Sequence, residues 1–239
     1  VPIRAILLDK DGTLVDLRAT WAPAWLGAAR ALAAAAGRPE GFALELLGRL
    51  GFEPASGALQ AGSPLAWASN AAIARALAAE PELAGIEVDP IALAHLRDVE
   101  RYPPRPVGDL AGLLGRLAGR GLVLGMATMD DECAALATVE RLGLGAHLAF
   151  VAGCDSGFGH KPGPGMALAF CAATGVPPAE TAVVGDTPAD LLMARAAGCA
   201  LAVAVRGGGA EEARLAPLAD RLIDDVHGLE AVLDELGPG

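Results

Sequence analysis

Two aspartates, Asp9 and Asp11, stand two residues apart in Asp9-Lys10-Asp11-Gly12-Thr13, at the end of the first apolar run of the chain. On an extended backbone, residues two apart point the same way, so both carboxylates would face one site. Carboxylates paired like this can divide labour. One stays ionised as nucleophile and metal ligand while the other acts as a general acid. Gly12 lets the chain turn sharply just behind them. Asp and Gly also build ordinary surface turns, so the pair gains its meaning from what lies downstream.

Three further polar groups fall at the ends of later apolar runs, where open α/β sheets gather their ligand sites. Thr128 closes one run, and its hydroxyl with nearby N–H groups could hold a phosphoryl oxygen ahead of a helix N-terminus. Lys161, in Gly159-His160-Lys161-Pro162, is one of only two lysines in the chain and is placed to neutralise a carboxylate nucleophile and an anionic substrate. Val184-Gly185-Asp186-Thr187-Pro188-Ala189-Asp190 offers one acid at a run's end and another a helical turn later. Asp186 with Asp9 and a backbone carbonyl gives the oxygen-rich surroundings that suit Mg²⁺. Each has a plainer reading: Thr often ends strands, Lys161 could be a solvated loop cation, and Thr187 could cap a helix without the acids.

The elements that must position these residues are short β-type runs, each followed by a helix-like stretch: Ile3–Leu8, Leu122–Thr128, Leu148–Ala152, Thr181–Val184, Ala200–Val205 and Arg221–Ile223. Such alternation predicts an α/β fold, a parallel sheet with helices on both faces. Asp109 is expected to cap a helix ending near Gly121, Asp130 or Asp131 one ending near Gly143, and Thr187-Pro188 one closed by Gly198. From about Leu17 to Pro103 the rhythm breaks. No strand is expected there, only Ala- and Leu-rich amphipathic segments, which reads as an inserted helical bundle with Tyr102-Pro103-Pro104-Arg105-Pro106 as a stiff return hinge.

Composition narrows the partners. Across 239 residues, 18 basic side chains face 29 acidic ones, a formal charge of -11, which opposes binding to nucleic acid or to an anionic membrane. An anionic substrate must then be held by a metal and a few local cations. Cys133, Cys154, Cys171 and Cys199 show no zinc-ligand or CxxC spacing, and a reduced, cytoplasmic protein is the expectation. Apolar stretches are interrupted before membrane-spanning length, and no secretory leader is read at the start.

With these residues in view, the chain resembles the haloacid dehalogenase superfamily of aspartate-nucleophile phosphatases, in particular its phosphoglycolate phosphatase-like members. Asp9-Lys10-Asp11-Gly12-Thr13 is similar to the family's first motif, Thr128 to its second, Lys161-Pro162 to its third and Gly185-Asp186-Thr187-Pro188-Ala189-Asp190 to its fourth. Met129-Asp130 departs from the small polar residue or Asn that many relatives carry after that Thr. The resemblance implies a Rossmann-like core over 1–16 and 104–239 with a helical cap domain over 17–103. It implies Asp9 as nucleophile, Asp11 as general acid and then base, Thr128 as phosphoryl contact and Lys161 as charge stabiliser. Mg²⁺ would be held by Asp9, the Asp11 carbonyl and Asp186, with Asp190 a further ligand or a support behind them.

The implied substrate is a small phosphorylated metabolite, phosphoglycolate foremost, and the implied assembly a monomer or homodimer. Arg18 and Trp25 are the cap candidates for specificity, with Trp21 and Asn70 behind them. Asp11 argues against a dehalogenase, and a cap without lysine argues against a phosphonatase. A sugar-phosphate mutase using His95, or a non-catalytic phosphate-binding regulatory protein, are the rival readings; His160 is left without a role.

Overall fold

The computed structural model describes residues 2–60, 62–208 and 210–237. The chain divides into two compact units, Val1–Asp16 with Pro106–Gly239 and Leu17–Arg105.

In chain order, β1 (Ala5–Leu8) is followed by the second unit, which holds α1 (Leu17–Ala35), α2 (Gly41–Arg49), β2 (Phe52–Glu53), β3 (Ala58–Leu59), α3 (Asn70–Ala78) and α4 (Val88–Leu96). The first unit then resumes with α5 (Leu110–Gly119), β4 (Val123–Ala127), α6 (Glu132–Arg141), β5 (Leu148–Ala152) and α7 (Gly165–Thr174). It ends with β6 (Thr181–Gly185), α8 (Pro188–Ala197), β7 (Leu201–Val205), α9 (Glu212–Leu215), β8 (Arg221–Ile223) and α10 (Leu229–Leu236).

Six of these strands form one sheet in the order β5-β4-β1-β6-β7-β8, every pairing parallel. This is the α/β fold expected from the sequence. The period-two alternation of β1 explains its layers. Ile6 and Leu8 pack with Leu110, Leu113 and Leu117 of α5 and Leu229 of α10, while Ala5 and Leu7 pack with Met166 and Phe170 of α7 and Leu191 of α8. A strand covered on both faces has no solvent side, so AILL reads as an unbroken apolar run. From β1 the chain proceeds toward the β4–β5 edge, and from β6 toward the β7–β8 edge. The reversal beside β1 opens a crevice at the strands' carboxyl ends, where such sheets bind ligands.

Helix ends largely follow the expected chemistry. Asp109 accepts a hydrogen bond from Gly112 N at 3.0 Å, and Thr187 and Asp190 form a reciprocal capping box before α8, which closes on Gly198 at φ +72°. At α6 the expectation needs correction. Asp131 occupies the N-cap position, but Glu132 N donates to Asp155 at 2.7 Å, and Asp130 is engaged elsewhere.

The helical unit has its own core, built from Trp25, Leu32, Leu46, Ile73 and Leu77. Contrary to the expectation of no strand, it contains a small antiparallel hairpin with Phe52 opposite Leu59. Two-residue strands carry no readable period, which is why the pattern did not show them. Its boundary falls within the expected hinge, two residues beyond Pro103, and Arg105 N donates to Thr20 Oγ1 at 3.0 Å. Pro106 instead bridges Val15, and Val107 N donates to Leu14 O at 2.9 Å, within the first unit. Among the described residues no helix is long and apolar enough to cross a membrane.

Candidate active site

Strand ends deliver the polar residues to one place. Asp9 follows β1, and its N–H donates to Val184 O at 2.8 Å, extending the β1–β6 ladder. Gly12, at φ +85°, turns the chain so that Leu14 N and Val15 N both return to Lys10 O at 2.9 Å. Thr128 follows β4 and is held by its own N–H to Ala152 O at 2.9 Å. Asp186 follows β6 directly, and Asp190 lies in the first turn of α8. Lys161 stands in the loop between β5 and α7, before a cis bond to Pro162.

These side chains interlock. Lys161 Nζ lies 2.5 Å from Asp9 Oδ1 and 2.5 Å from Asp190 Oδ1. The other oxygen of Asp190 accepts from Thr187 N at 3.0 Å and from Thr187 Oγ1 at 2.5 Å. Ligand atoms of Asp9, Asp186 and Asp190 lie within 4.8 Å of one another, and all three residues are buried. Thr128 Oγ1 approaches Asp11 Oδ2 at 3.5 Å and accepts from Asp130 N at 3.1 Å. A Cβ on Gly12 or on Gly208 would collide with the Asp186 carboxylate, so backbone without side chains packs against that acid.

The electrostatics follow from burial. Removal from water pushes the Asp9 carboxyl up to about 7; Lys161 opposes the rise, and the Asp190 and Asp11 charges add to it. Burial alone would lower the Lys161 ammonium, but Asp190 and Asp9 outweigh it and hold it above the ordinary lysine range. Five carboxylates, Asp9, Asp11, Asp130, Asp186 and Asp190, meet two ammonium groups, Lys10 and Lys161. Negative charge in such surplus is costly inside a protein unless a cation compensates it. The donors are all hard oxygens, the set that a magnesium ion accepts.

The sequence profile of the haloacid dehalogenase-like hydrolases matches residues 3–198, a span that includes every strand end just described. The chain belongs to the haloacid dehalogenase-like hydrolases. It is 38% identical over 114 residues to the phosphoglycolate phosphatase of Rhodospirillum rubrum, a stretch covering 45% of this chain and 47% of that protein. It is 40% identical over 102 residues to the phosphoglycolate phosphatase of Chromobacterium violaceum, covering 43% and 46%. The chain thus spans under half the length of the curated relatives it matches. Its fold is similar to that of the HAD phosphatase from Thermococcus onnurineus, with a TM-score of 0.71, 21% identity and 99% of each chain covered.

Within this haloacid dehalogenase-like chain the structure gathers Asp9, Asp11, Thr128, Lys161, Asp186 and Asp190 in the first unit. The remaining candidates belong to the helical unit. Trp25 is only 2% exposed, stacked on Trp21 and edge-on to Phe52, so its ring serves that unit's core. Arg18 is exposed on α1. Asn70 is buried, with Nδ2 donating to Leu96 O at 3.4 Å. His95 meets Tyr102 Oη at 2.8 Å, and burial with nearby Arg101 holds its imidazole below the usual range. His160 is exposed.

Sequence reasoning missed one pair. Lys10 Nζ is 2.9 Å from Asp130 Oδ2 and about equally close to the Asp11 carboxylate, with its side chain 2% exposed. Asp130 also accepts from Asp131 N at 2.8 Å, where a helix cap had been expected. The available signal was the scarcity of lysine, combined with an Asp three residues beyond the neighbouring strand's end.

Proposed function

We propose that this chain is a Mg²⁺-dependent phosphatase of small phosphate monoesters, with Asp9 as its nucleophile. The observation that carries the reading is the Lys161 ammonium held between Asp9 and Asp190, beside Asp186, in a buried site with more carboxylates than cations. An anionic nucleophile and an anionic ester repel each other, and a fixed ammonium at the nucleophile offsets that repulsion without reorganisation.

An Asp9 oxygen attacks phosphorus, the bond from phosphorus to the ester oxygen breaks, and that oxygen leaves with its electron pair and takes a proton from Asp11. Asp11, now ionised, removes a proton from water, whose oxygen attacks the aspartyl-phosphate and returns Asp9 with release of inorganic phosphate. Dividing the displacement in two replaces one difficult step with two easier ones. Thr128 would contact a phosphoryl oxygen. Mg²⁺, held by Asp9, Asp186 and the Asp11 carbonyl, would neutralise phosphoryl charge. Both Asp190 oxygens are engaged by Lys161 and Thr187, which supports a role behind the ligands, orienting the ammonium.

The helical unit, residues 17–105, is proposed as a cap that supplies specificity contacts, with Arg18 as the exposed candidate and Trp25 as packing. Phosphoglycolate leads the substrate candidates because the curated relatives carry that activity in their names. Four free cysteines support a cytoplasmic location, and a monomer or homodimer is the proposed assembly. A mutase reading would need His95, whose ring is already engaged by Tyr102, so hydrolysis is favoured.

Phosphate release from phosphoglycolate, sugar phosphates and nucleotides, compared as kcat/KM with and without Mg²⁺, tests the proposal. Metal-dependent release that vanishes in Asp9→Asn supports it. Isomerisation of a sugar phosphate without net release, or binding of phosphate with no turnover across the panel, would replace it.

A further inference from the structure

We infer that Lys10, clamped by Asp130, is a positioning residue that holds the Asp11 carboxylate in place for proton transfer to the leaving group. The inference rests on the proposed role of Asp11 and goes beyond it, to Lys10, which stands within the first motif without an assigned role, and to its partner Asp130.

Lys10 follows Asp9 in the turn just beyond the end of β1. There it is buried, and a lone buried ammonium would be strongly unfavourable. Asp130 Oδ2 at 2.9 Å compensates the charge, and Asp131 N at 2.8 Å fixes the other Asp130 oxygen. If that were all, the pair would merely join the β1 and β4 loops. Lys10 Nζ also lies 3.1 Å from Asp11 Oδ1 and 3.0 Å from Asp11 Oδ2, touching both oxygens of the carboxylate.

The same loop acts on Asp11 from another side. Asp130 N donates to Thr128 Oγ1, and that hydroxyl approaches Asp11 Oδ2. Asp130 therefore fixes two groups that converge on Asp11, one through its carboxylate and one through its backbone. The Asp11 side chain keeps 17% of its surface exposed, so it is restrained in orientation yet accessible to a ligand oxygen. A general acid displaced by a fraction of an ångström or turned away loses much of its effect.

The test uses leaving-group dependence in the full-length protein. An alkoxide needs a proton as it departs, whereas p-nitrophenolate leaves readily without one, and kcat/KM reports the steps up to that departure. Lys10→Met should lower kcat/KM for an alkyl phosphate on the order of tenfold or more, and for p-nitrophenyl phosphate by less than about threefold. Lys10→Met with Asp130→Asn, which leaves no charge on the buried partner Asp130, should show the same selectivity if the single variant folds poorly. Asp11→Asn supplies the reference pattern for complete loss of the acid.

An equal fall on both substrates, or none on either, overturns the inference while leaving the phosphatase reading intact. A parent protein that turns over neither ester overturns both, and Asp9→Asn identifies that case by leaving the residual rate unchanged.

Discussion

Lys161 and Asp9 are 152 residues apart in sequence, and their charged atoms lie 2.5 Å apart in a buried site. Lys161→Met should therefore cost about 3–5 kcal/mol, because Asp9 and Asp190 would remain buried with their common counter-charge gone. Activity should fall at least about 100-fold with it. Denaturant unfolding at neutral pH, read beside phosphate release, checks both. A stable, active Lys161→Met protein would refute the assignment.

The Asp9 carboxyl, raised by burial from 3.8 to about 7, makes metal-free stability depend on pH. Between roughly pH 4 and pH 7 the folded protein still holds a proton that the unfolded chain has released, so stability contributed by that proton declines as pH rises through the window. Asp9→Asn removes the dependence. In chelator its melting temperature should exceed the parent's at pH 8, with the difference shrinking toward pH 4. Identical pH profiles for the two proteins would contradict this.

Added Mg²⁺ should raise the melting temperature of the parent, by about 2.7 kcal/mol of stability when its concentration is 100 times Kd. Asp186→Asn should shift that response to much higher Mg²⁺, since one of the three clustered acids loses its charge. Thermal melts over a Mg²⁺ series decide it. An unaltered response would remove Asp186 from the ligand set.

Gly208→Ala should weaken Mg²⁺ response in the same assay, though position 208 supplies no ligand atom from a side chain. Its new methyl would meet the Asp186 carboxylate and displace it. Equal midpoints for parent and variant would show that the acid can move without consequence.

How much could be read from the chain depended on how local each feature was. Leu148–Ala152 and Arg221–Ile223 were legible to the residue, although both are edge strands and only partly buried, because each is a short β-type run bounded by turn residues. The hairpin at Phe52–Glu53 and Ala58–Leu59 was not, because its strands are shorter than any period. Asp9 and Asp11 drew notice by their spacing, but Lys10 between them was given no role. Its partner Asp130 is 120 residues away, and only the pairing of β1 with β4, Leu8 beside Met126, brings their loops together. Trp25 is a different case: an aromatic side chain offered as a ligand contact reads also as packing, and its burial supports packing.

Where the chain leaves the sheet unit after Val15 and where it re-enters at Pro106, the two backbones lie side by side, bridged to each other and tied by Val107 N to Leu14 O. A segment whose two ends emerge from one seam can be lengthened, shortened or exchanged without pulling on the strands that carry the acids. The loop after β1 thus works as a socket that holds an inserted segment without loading the sheet.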